Sequence, residues 1–207
     1  MYKEGRGISQ DFVQAGIWFE KAAKKGNHLA QTNIGQLYLQ GNGVEKNVKE
    51  AEKWFLLAAK QDDVIAQTNL GFLYLQSGIK DEQLAFKWFY KAAEQGYVTA
   101  QHNIGVAFDQ GIGTAPDAEK AAEWYREAAL QGNSASQFNL GVMYFNGQGL
   151  KENKEKSLKW LILADRNGFA NAREVRQSIA AQLQKSALDK AEKAADACLE
   201  SGYRQCV

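Results

Sequence analysis

The stretch AQTNIGQLYL, from Ala30 to Leu39, is repeated almost unchanged as AQTNLGFLYL, from Ala66 to Leu75. The second copy begins 36 positions after the first and differs from it at two residues. Looser copies begin at positions 100 and 136. Self-similarity at a fixed period of this length is typical of repeat proteins, in which each unit stacks on the next. The chain is therefore predicted to be an array of similar units.

The tryptophans follow the same period, because consecutive ones are 36, 34, 36 and 36 positions apart. An aromatic residue or a leucine directly follows each tryptophan, Ala stands four positions after it, and Asp or Asn stands seven positions before it. Since these neighbours recur in register, we expect the tryptophans to form a seam between stacked units. The tryptophans are Trp18, Trp54, Trp88, Trp124 and Trp160.

Each unit is predicted to be a hairpin of two helices. An Asp or Asn, such as Asn47, can accept hydrogen bonds from the free N–H groups at a helix start, and apolar residues then recur at helical spacing. The clearest copy of this pattern predicts a helix over residues 47–60. The AQTN stretch forms the other helix, where a central glycine such as Gly71 costs about 1 kcal/mol relative to Ala. Its recurrence predicts that the backbone of a neighbouring helix packs closely there, in an all-α fold.

Composition and charge narrow the possible functions. The 25 Lys and Arg nearly balance the 24 Asp and Glu, whereas a nucleic-acid-binding protein normally has a basic excess or stripe. No apolar run reaches the roughly 20 residues that span a bilayer. The two histidines, His28 and His102, are too few for a metal site at standard ligand spacing. We therefore expect no nucleic acid, no membrane insertion, no metal and no cofactor.

The units are similar to a known repeat. The pattern A-Q-x-N-[IL]-G-x-x-Y, followed by G-x-G-V and by A-x-x-W-[FY]-x-x-A-A-x-x-G, resembles the Sel1-like repeat, a relative of the tetratricopeptide repeat. The resemblance implies a right-handed α/α solenoid, or superhelix, of stacked helix hairpins. Matches at Tyr2 and Asp11 place the start of the chain partway through a first helix. The implied domains are a partial first repeat over 1–27, four repeats over about 28–63, 64–97, 98–133 and 134–169, and C-terminal capping helices over 170–207.

The resemblance also implies where a partner would bind. In tetratricopeptide domains the position of Asn33 faces the concave groove, and an amide can both donate to and accept from the backbone of an extended peptide. The alternative is that the asparagines only bond a neighbouring helix end. The preceding position varies from Thr32 and Thr68 to a ring in later units, so we expect it to recognise the partner's side chains. The candidate groove residues are Asn33, Asn69, Asn103, Asn139, Phe72, His102, Phe138, Phe145, Gln36, Gln40, Gln76 and Gln110.

Two cysteines lie near the end of the sequence. Cys198 and Cys206 take the places of Ala22 and Ala30 when the chain is aligned on its repeats. Their seven-residue gap resembles the bridging pairs of cysteine-rich Sel1-like proteins secreted by some bacteria, and this resemblance implies a disulfide. The alternative is a pair of unrelated buried thiols, because Cys packs as a small hydrophobic residue. A disulfide would favour an oxidising compartment.

These features predict a non-enzymatic scaffold or adaptor that binds a partner protein or peptide in its concave groove. The resemblance implies several roles, among them that of an immunity protein neutralising a secreted bacterial toxin. The cysteine pair favours the bacterial periplasm or secretion over the cytoplasm. One open alternative is a cell-wall or β-lactam-active enzyme, as among the cysteine-rich relatives, although the Ser-x-x-Lys motif at Ser77–Lys80 has no partner motif. The other is a structural spacer in an envelope assembly.

Overall fold

The computed structural model describes residues 11–76 and 80–206. This part of the chain is built from eleven α-helices joined by turns and contains no strand. The partial helix expected at the start of the chain and most of the Ser77–Lys80 motif lie outside the described residues. The helices are α1 Phe12–Ala23, α2 His28–Gln40, α3 Val48–Ala59, α4 Val64–Leu75, α5 Glu82–Glu94, α6 Val98–Gln110, α7 Ala118–Ala129, α8 Ser134–Asn146, α9 Lys154–Arg166, α10 Ala172–Ala180 and α11 Lys185–Glu200.

Helices α1, α3, α5, α7 and α9 begin where the sequence predicts. The residue before each has an extended backbone, and its side chain accepts a hydrogen bond from the backbone N–H three positions later, which is one of the donors that a helix start leaves free. At Asn47 the bond from the Glu50 N–H is 3.1 Å long. The N-cap residues are Asp11, Asn47, Asp81, Asp117 and Asn153.

The turn after these helices requires a left-handed backbone. Gly96 adopts a φ of 84° at this position, which costs little because glycine has no Cβ. Asp62 takes the equivalent place after α3 and also adopts a positive φ, of 59°. Asp tolerates this region better than most residues, so the turn forms although the sequence departs from glycine there.

The chain divides into two compact units, Met1–Gln95 and Gly96–Val207. In the first unit, α2 packs on α3 and α4 packs on α5, and the two hairpins join through α3 and α4. In the second unit, α6 packs on α7 and α8 packs on α9, and these hairpins join through α7 and α8. Helices α10 and α11 both pack against α9. Each unit is thus a stack of helix hairpins.

The nearest neighbour of the glycine in the middle of each AQTN helix is a large side chain rather than a helix backbone; it is a ring at Gly35, Gly71 and Gly105 and Leu161 at Gly141. A Cβ added to Gly71 would lie 2.6 Å from the ring of Phe89, and one added to Gly35 would lie 2.7 Å from the ring of Phe55. The prediction that a helix backbone is the closest neighbour was therefore wrong, because side-chain atoms lie closer. The Ala51 carbonyl oxygen is still near, 3.3 Å from a Cβ added to Gly35. The residue after each tryptophan fills the space that the missing side chain leaves.

Four of the five tryptophans are less buried than predicted, whereas Trp160, 3% exposed, lies in the core. Trp54 and Trp88 are half-buried, and Trp18 is exposed, whereas Phe55 and Phe89 lie in the core. Lys91 Nζ lies 5.2 Å from the centroid of the Trp88 ring. The expected tryptophan seam is therefore formed mainly by the residue that follows each tryptophan, and the tryptophans other than Trp160 cover its edge.

Buried glutamine amides tie neighbouring hairpins together within each unit. Gln67 Nε2 donates to the Ala59 carbonyl at 3.3 Å, and Gln67 Oε1 accepts from Gln95 Nε2 at 2.8 Å. Gln31 and Gln137 make the same pair of bonds. Because a buried amide must find partners, these bonds fix the end of one helix against the start of another. The role of this recurring glutamine was not predicted from the sequence.

Candidate partner-binding site

The predicted asparagines lie on one face of the AQTN helices. Residues at spacings of three and four share a helix face, so each Asn has one neighbour four positions before it, one three positions after it and one seven positions after it. We call these four positions the amide face of each helix. In the first unit it comprises Leu29, Asn33, Gln36 and Gln40 of α2 with Ile65, Asn69 and Phe72 of α4 and Gln76, the residue directly after α4. In the second unit it comprises Thr99, Asn103, Val106 and Gln110 of α6 with Ala135, Asn139, Val142 and Asn146 of α8.

The amide face of the first unit exposes large apolar side chains among its amides. Leu29 is 54% exposed, Ile65 is 45% exposed and Phe72 is 42% exposed. The ring of Phe72 meets the ring of Phe89 edge-on, with centroids 5.0 Å apart, so its position is fixed while one side faces solvent. No residue of this face carries a charge. The surface can therefore contact an apolar group and bond a polar backbone at the same time.

A polar contact holds α2 and α4 together at their starts. Asp63 is the N-cap of α4, and its Oδ1 accepts from the Ala66 N–H at 2.8 Å. Its Oδ2 lies 2.7 Å from Nδ1 of His28, the first residue of α2. The two amide faces of the first unit are thus brought side by side. His28 acts in this contact as a link between helices.

The asparagines differ in their hydrogen bonds. Asn33 Nδ2 donates to the Leu29 carbonyl at 2.8 Å, and Asn103 Nδ2 donates to the Thr99 carbonyl at 2.7 Å. Both bonds run to the carbonyl four residues back along the same helix. Neither of these two bonds joins the asparagine to the end of a neighbouring helix. Within the described part of the chain, Asn69 Nδ2 is buried and has no hydrogen-bond partner.

Asn139 bonds the hydroxyl of Tyr125, which occupies the core position after Trp124. Burial raises the pKa of Tyr125, and the negative charge of Asp109 adds to this effect. The hydrogen bond from Asn139 acts in the opposite direction. Because the pKa is raised, the hydroxyl keeps its proton, and Asn139 serves the core as well as the amide face.

The variable position before each asparagine does not face outward. Thr32 and Thr68 are buried, and Thr68 Oγ1 donates to the Val64 carbonyl at 2.7 Å. The side chain at this position points between hairpins because it lies one residue, or about 100°, around the helix from the Asn. The expectation that these threonines read a partner was therefore wrong.

His102 and Phe138 hold the same variable position in the second unit and already have partners there. His102 Nδ1 lies 2.8 Å from Ser136 Oγ, and the His102 ring lies 5.8 Å from that of Tyr125. Burial lowers the pKa of His102, which favours the neutral ring. The ring of Phe138 lies 4.8 Å from that of Phe169. Their part in partner binding stays a prediction.

Phe145 lines a cavity in the second unit, between α8 and α10. The cavity has a volume of about 360 Å³ and an apolar wall. The sequence singled out Phe145 but none of the α10 residues, because the repeat pattern fades after residue 168. The lining residues are Val142, Phe145, Glu174, Val175, Ser178, Ile179 and Gln182.

A disulfide joins Cys198, at the end of α11, to Cys206 in the turn that follows. The two Cα atoms are 4.7 Å apart, and both residues are buried. The pairing agrees with the register that the repeats give to these positions. Oxidation of the pair in the cell stays a prediction.

The described residues offer neither a metal-ligand cluster nor a helix that could span a membrane. No three His, Cys, Asp or Glu side chains of 11–76 and 80–206 lie together as metal ligands would. Among the helices of these ranges, none combines the length and the apolar composition that a membrane span needs.

Similar solved structures share this architecture. A protective antigen of uropathogenic Escherichia coli strains with an SLR fold is 33% identical, with a TM-score of 0.89 over 98% of this chain and 45% of its own. A Sel1 repeat protein from Oxalobacter formigenes is 33% identical, with a TM-score of 0.77 over 84% of this chain and 72% of its own. Helicobacter pylori cysteine rich protein B is 21% identical over 63% of this chain and 95% of its own, with a TM-score of 0.52. The chain thus spans less than half the length of the E. coli antigen, and the predicted all-α solenoid fold is confirmed.

The comparison with curated proteins gives no match. The Sel1 repeat, as a family, matches residues 1–27, 28–63, 64–97, 98–133 and 134–168. These matches cover most of the chain, and they agree with the two Sel1-type structures at 33% identity. The chain therefore belongs to the Sel1 repeat family.

Proposed function

We propose that this protein is a non-enzymatic scaffold that binds a partner protein through the amide face of its first unit. The Sel1 repeat fold typically serves protein–protein interaction. The observation that carries the proposal is the exposure of Leu29, Ile65 and Phe72 beside Asn33 and Asn69. Large apolar side chains that share one exposed face mark interaction surfaces more often than scattered ones do.

The chemistry of this face favours an uncharged, extended segment of the partner. Amides can pair with both the N–H and the C=O of a peptide backbone, and the exposed apolar side chains can contact alternate side chains of that peptide. The face has no Lys or Arg, so an acidic tail would find no counter-charge. Interface hot spots are few and rich in aromatic residues, so Phe72 is expected to contribute most.

The second unit offers a contact of its own. The cavity between Val142, Phe145 and Ile179 is within the volume range of about 300–1,000 Å³ that small-ligand sites have. Its wall is apolar, and Glu174 lies in its lining. This cavity supports the binding of a single apolar side chain of a partner.

Site-specific photo-cross-linking tests the proposal. A photoreactive amino acid is placed at Gln40 or Gln76 on the amide face, and at Lys53 or Lys60 as matched exposed controls on or next to α3. In extracts of the source cell, we expect the same partner to be captured from both amide-face positions and not from the controls. Capture from the α3 positions alone would contradict the proposal, and no capture from any position would favour a structural spacer.

The Sel1 repeat fold is compatible with many kinds of partner protein, and we narrow the proposal to one of them. We infer a partner in the bacterial envelope, and a secreted toxin in particular, in which case the protein would be an immunity protein. Support comes from the Cys198–Cys206 disulfide, which favours an oxidising compartment, and from the resemblance noted in the sequence. Co-expression with a toxin encoded beside this gene should restore growth, and failure to do so would contradict this narrower role. Hydrolysis of nitrocefin by the purified chain would contradict the non-enzymatic assignment.

A further inference from the structure

Lys159 of α9 is a buried lysine that has no carboxylate partner within residues 11–76 and 80–206. The residue is 8% exposed, and its Nζ donates a hydrogen bond to the backbone carbonyl of Cys206. No ion pair involves Lys159 among the described residues. Burial of a charge is costly unless the charge is paired, so this position calls for an explanation.

Lys159 lines a cavity that two more cations, Arg126 and Lys156, also line. The cavity has a volume of about 190 Å³ and lies between α7, α8, α9 and the C-terminal turn. Arg126 Nη2 lies 3.5 Å from the Tyr144 hydroxyl, and Lys156 Nζ lies 5.6 Å from the centroid of the Tyr144 ring. Lys159 Nζ lies 4.6 Å from the centroid of the Trp160 ring. The residues that line the cavity are Arg126, Leu130, Tyr144, Lys156, Lys159, Trp160 and Cys206.

Every lining residue of this cavity is either neutral or positively charged. Burial first, and then the positive charges of Lys156 and Arg126, lower the pKa of Lys159 to about 8. These two neighbouring charges therefore disfavour the charged form of Lys159. A bound anion would offset this repulsion.

The equivalent lysine in another repeat, Lys53, has a carboxylate partner. Lys53 precedes Trp54 as Lys159 precedes Trp160, but Lys53 is exposed and pairs with Glu50 Oε1 at 2.5 Å. The position of Glu50, three residues before the lysine, is Lys156 in α9. In the last repeat, the lysine is buried and a second cation, Lys156, stands where Glu50 stands in the earlier repeat.

We propose that the cavity between Arg126, Lys156 and Lys159 binds a small oxyanion ligand, either a phosphate or a carboxylate compound. Lysine has three N–H donors, so Lys159 keeps two after its bond to Cys206. The guanidinium of Arg126 presents a planar fork that matches carboxylate and phosphate oxygens. The cavity is smaller than the roughly 300–1,000 Å³ of sites for drug-sized ligands, so it fits a small ligand.

Inorganic phosphate and acetate are the probes for this site. The melting temperature of the full chain is measured as each salt replaces chloride at constant ionic strength, and the affinity is measured by calorimetry. The chain carries two added glycines after Val207, so that a terminal carboxylate does not compete. We expect a saturable rise in the melting temperature with phosphate, with acetate, or with both. A response to phosphate alone assigns phosphate compounds, a response to acetate alone assigns carboxylates, and a response to both supports a general oxyanion site.

Four variants test whether anion binding in this cavity causes the rise in melting temperature. Lys159→Met should abolish the response, whereas Lys53→Met, at the matched position of another repeat, should respond like the parent chain. Arg126→Gln and Lys156→Gln lie nearer the surface and should each weaken binding at least fivefold, and they decide the question if Lys159→Met fails to fold. The proposal is overturned if neither salt acts beyond chloride, or if all three cavity variants respond like Lys53→Met.

Discussion

At the scale of single residues, the contact between a glycine and a large apolar side chain sets how closely each hairpin closes. The Phe89 ring lies over Gly71, the Tyr125 ring lies over Gly105, and Leu161 lies over Gly141. Protein interiors are close-packed and tolerate little added volume. The glycine's cost in helix stability is thus offset by the burial of a large side chain on it.

Adding one methyl group should have opposite effects at two helical glycines. Gly71→Ala is expected to lower the free energy of unfolding by about 1–3 kcal/mol, because the new Cβ would lie 2.6 Å from the Phe89 ring. Gly16→Ala in α1 should raise it by up to about 1 kcal/mol, since its Cβ would meet only ordinary contacts at 3.5 Å and Ala favours helix. Urea denaturation of both variants measures the difference. Equal effects of the two substitutions would contradict the assigned packing.

Phe89 should matter more to stability than Trp88. Phe89→Ala is expected to cost about 3–5 kcal/mol because the ring is buried. Trp88→Ala should cost less, because Trp88 is half-buried at the edge of the core. The two variants are compared by thermal and urea unfolding under the same conditions. A larger loss at Trp88 would restore the tryptophan seam that the sequence alone suggested.

At the scale of helices, the sequence predicts the starts of the odd-numbered helices well. An N-cap such as Asn47 or Asp117 has a local chemical cause that is visible in the sequence. The choice between Trp88 and Phe89 as the core residue is not visible, because adjacent residues are both apolar and differ only by their direction around the helix. Helix α11 keeps the register of a repeat's second helix, which places Cys198 at the position of Ala22. Helix α10 lacks the repeat's Gly and Tyr, so its contacts with α9 could not be predicted.

The disulfide belongs to this scale because it holds the turn after α11. Reduction should lower the free energy of unfolding by about 2–3 kcal/mol at most, since the loop it closes is short. Intact mass after alkylation, with and without reduction, counts the free thiols in protein from an oxidising compartment. Two thiols that react without reduction would contradict the disulfide and remove the support it gives to an envelope location.

At the scale of the whole molecule, positive and negative charges nearly balance, but two surfaces differ in their charge. The amide face of the first unit is uncharged and partly apolar, whereas the cavity around Lys159 in the second unit is cationic. The asparagine ladder predicted the face, because helical spacing places Asn33 with Gln36 and Asn69 with Phe72. Whether a neighbouring residue such as Thr68 is buried depends on packing between repeats, which the sequence of a single repeat does not show.

The binding role of the amide face is tested most directly by one comparison of affinities. The captured partner is titrated against the Leu29→Ser/Ile65→Ser double variant and against Leu57→Ser, which changes an equally exposed apolar side chain on α3 of the same unit. The double variant should bind at least tenfold more weakly, a loss of about 1.4 kcal/mol, while Leu57→Ser binds like the parent chain and all melting temperatures stay close. Unchanged affinity in the double variant, or an equal loss in Leu57→Ser, would contradict partner binding through the amide face.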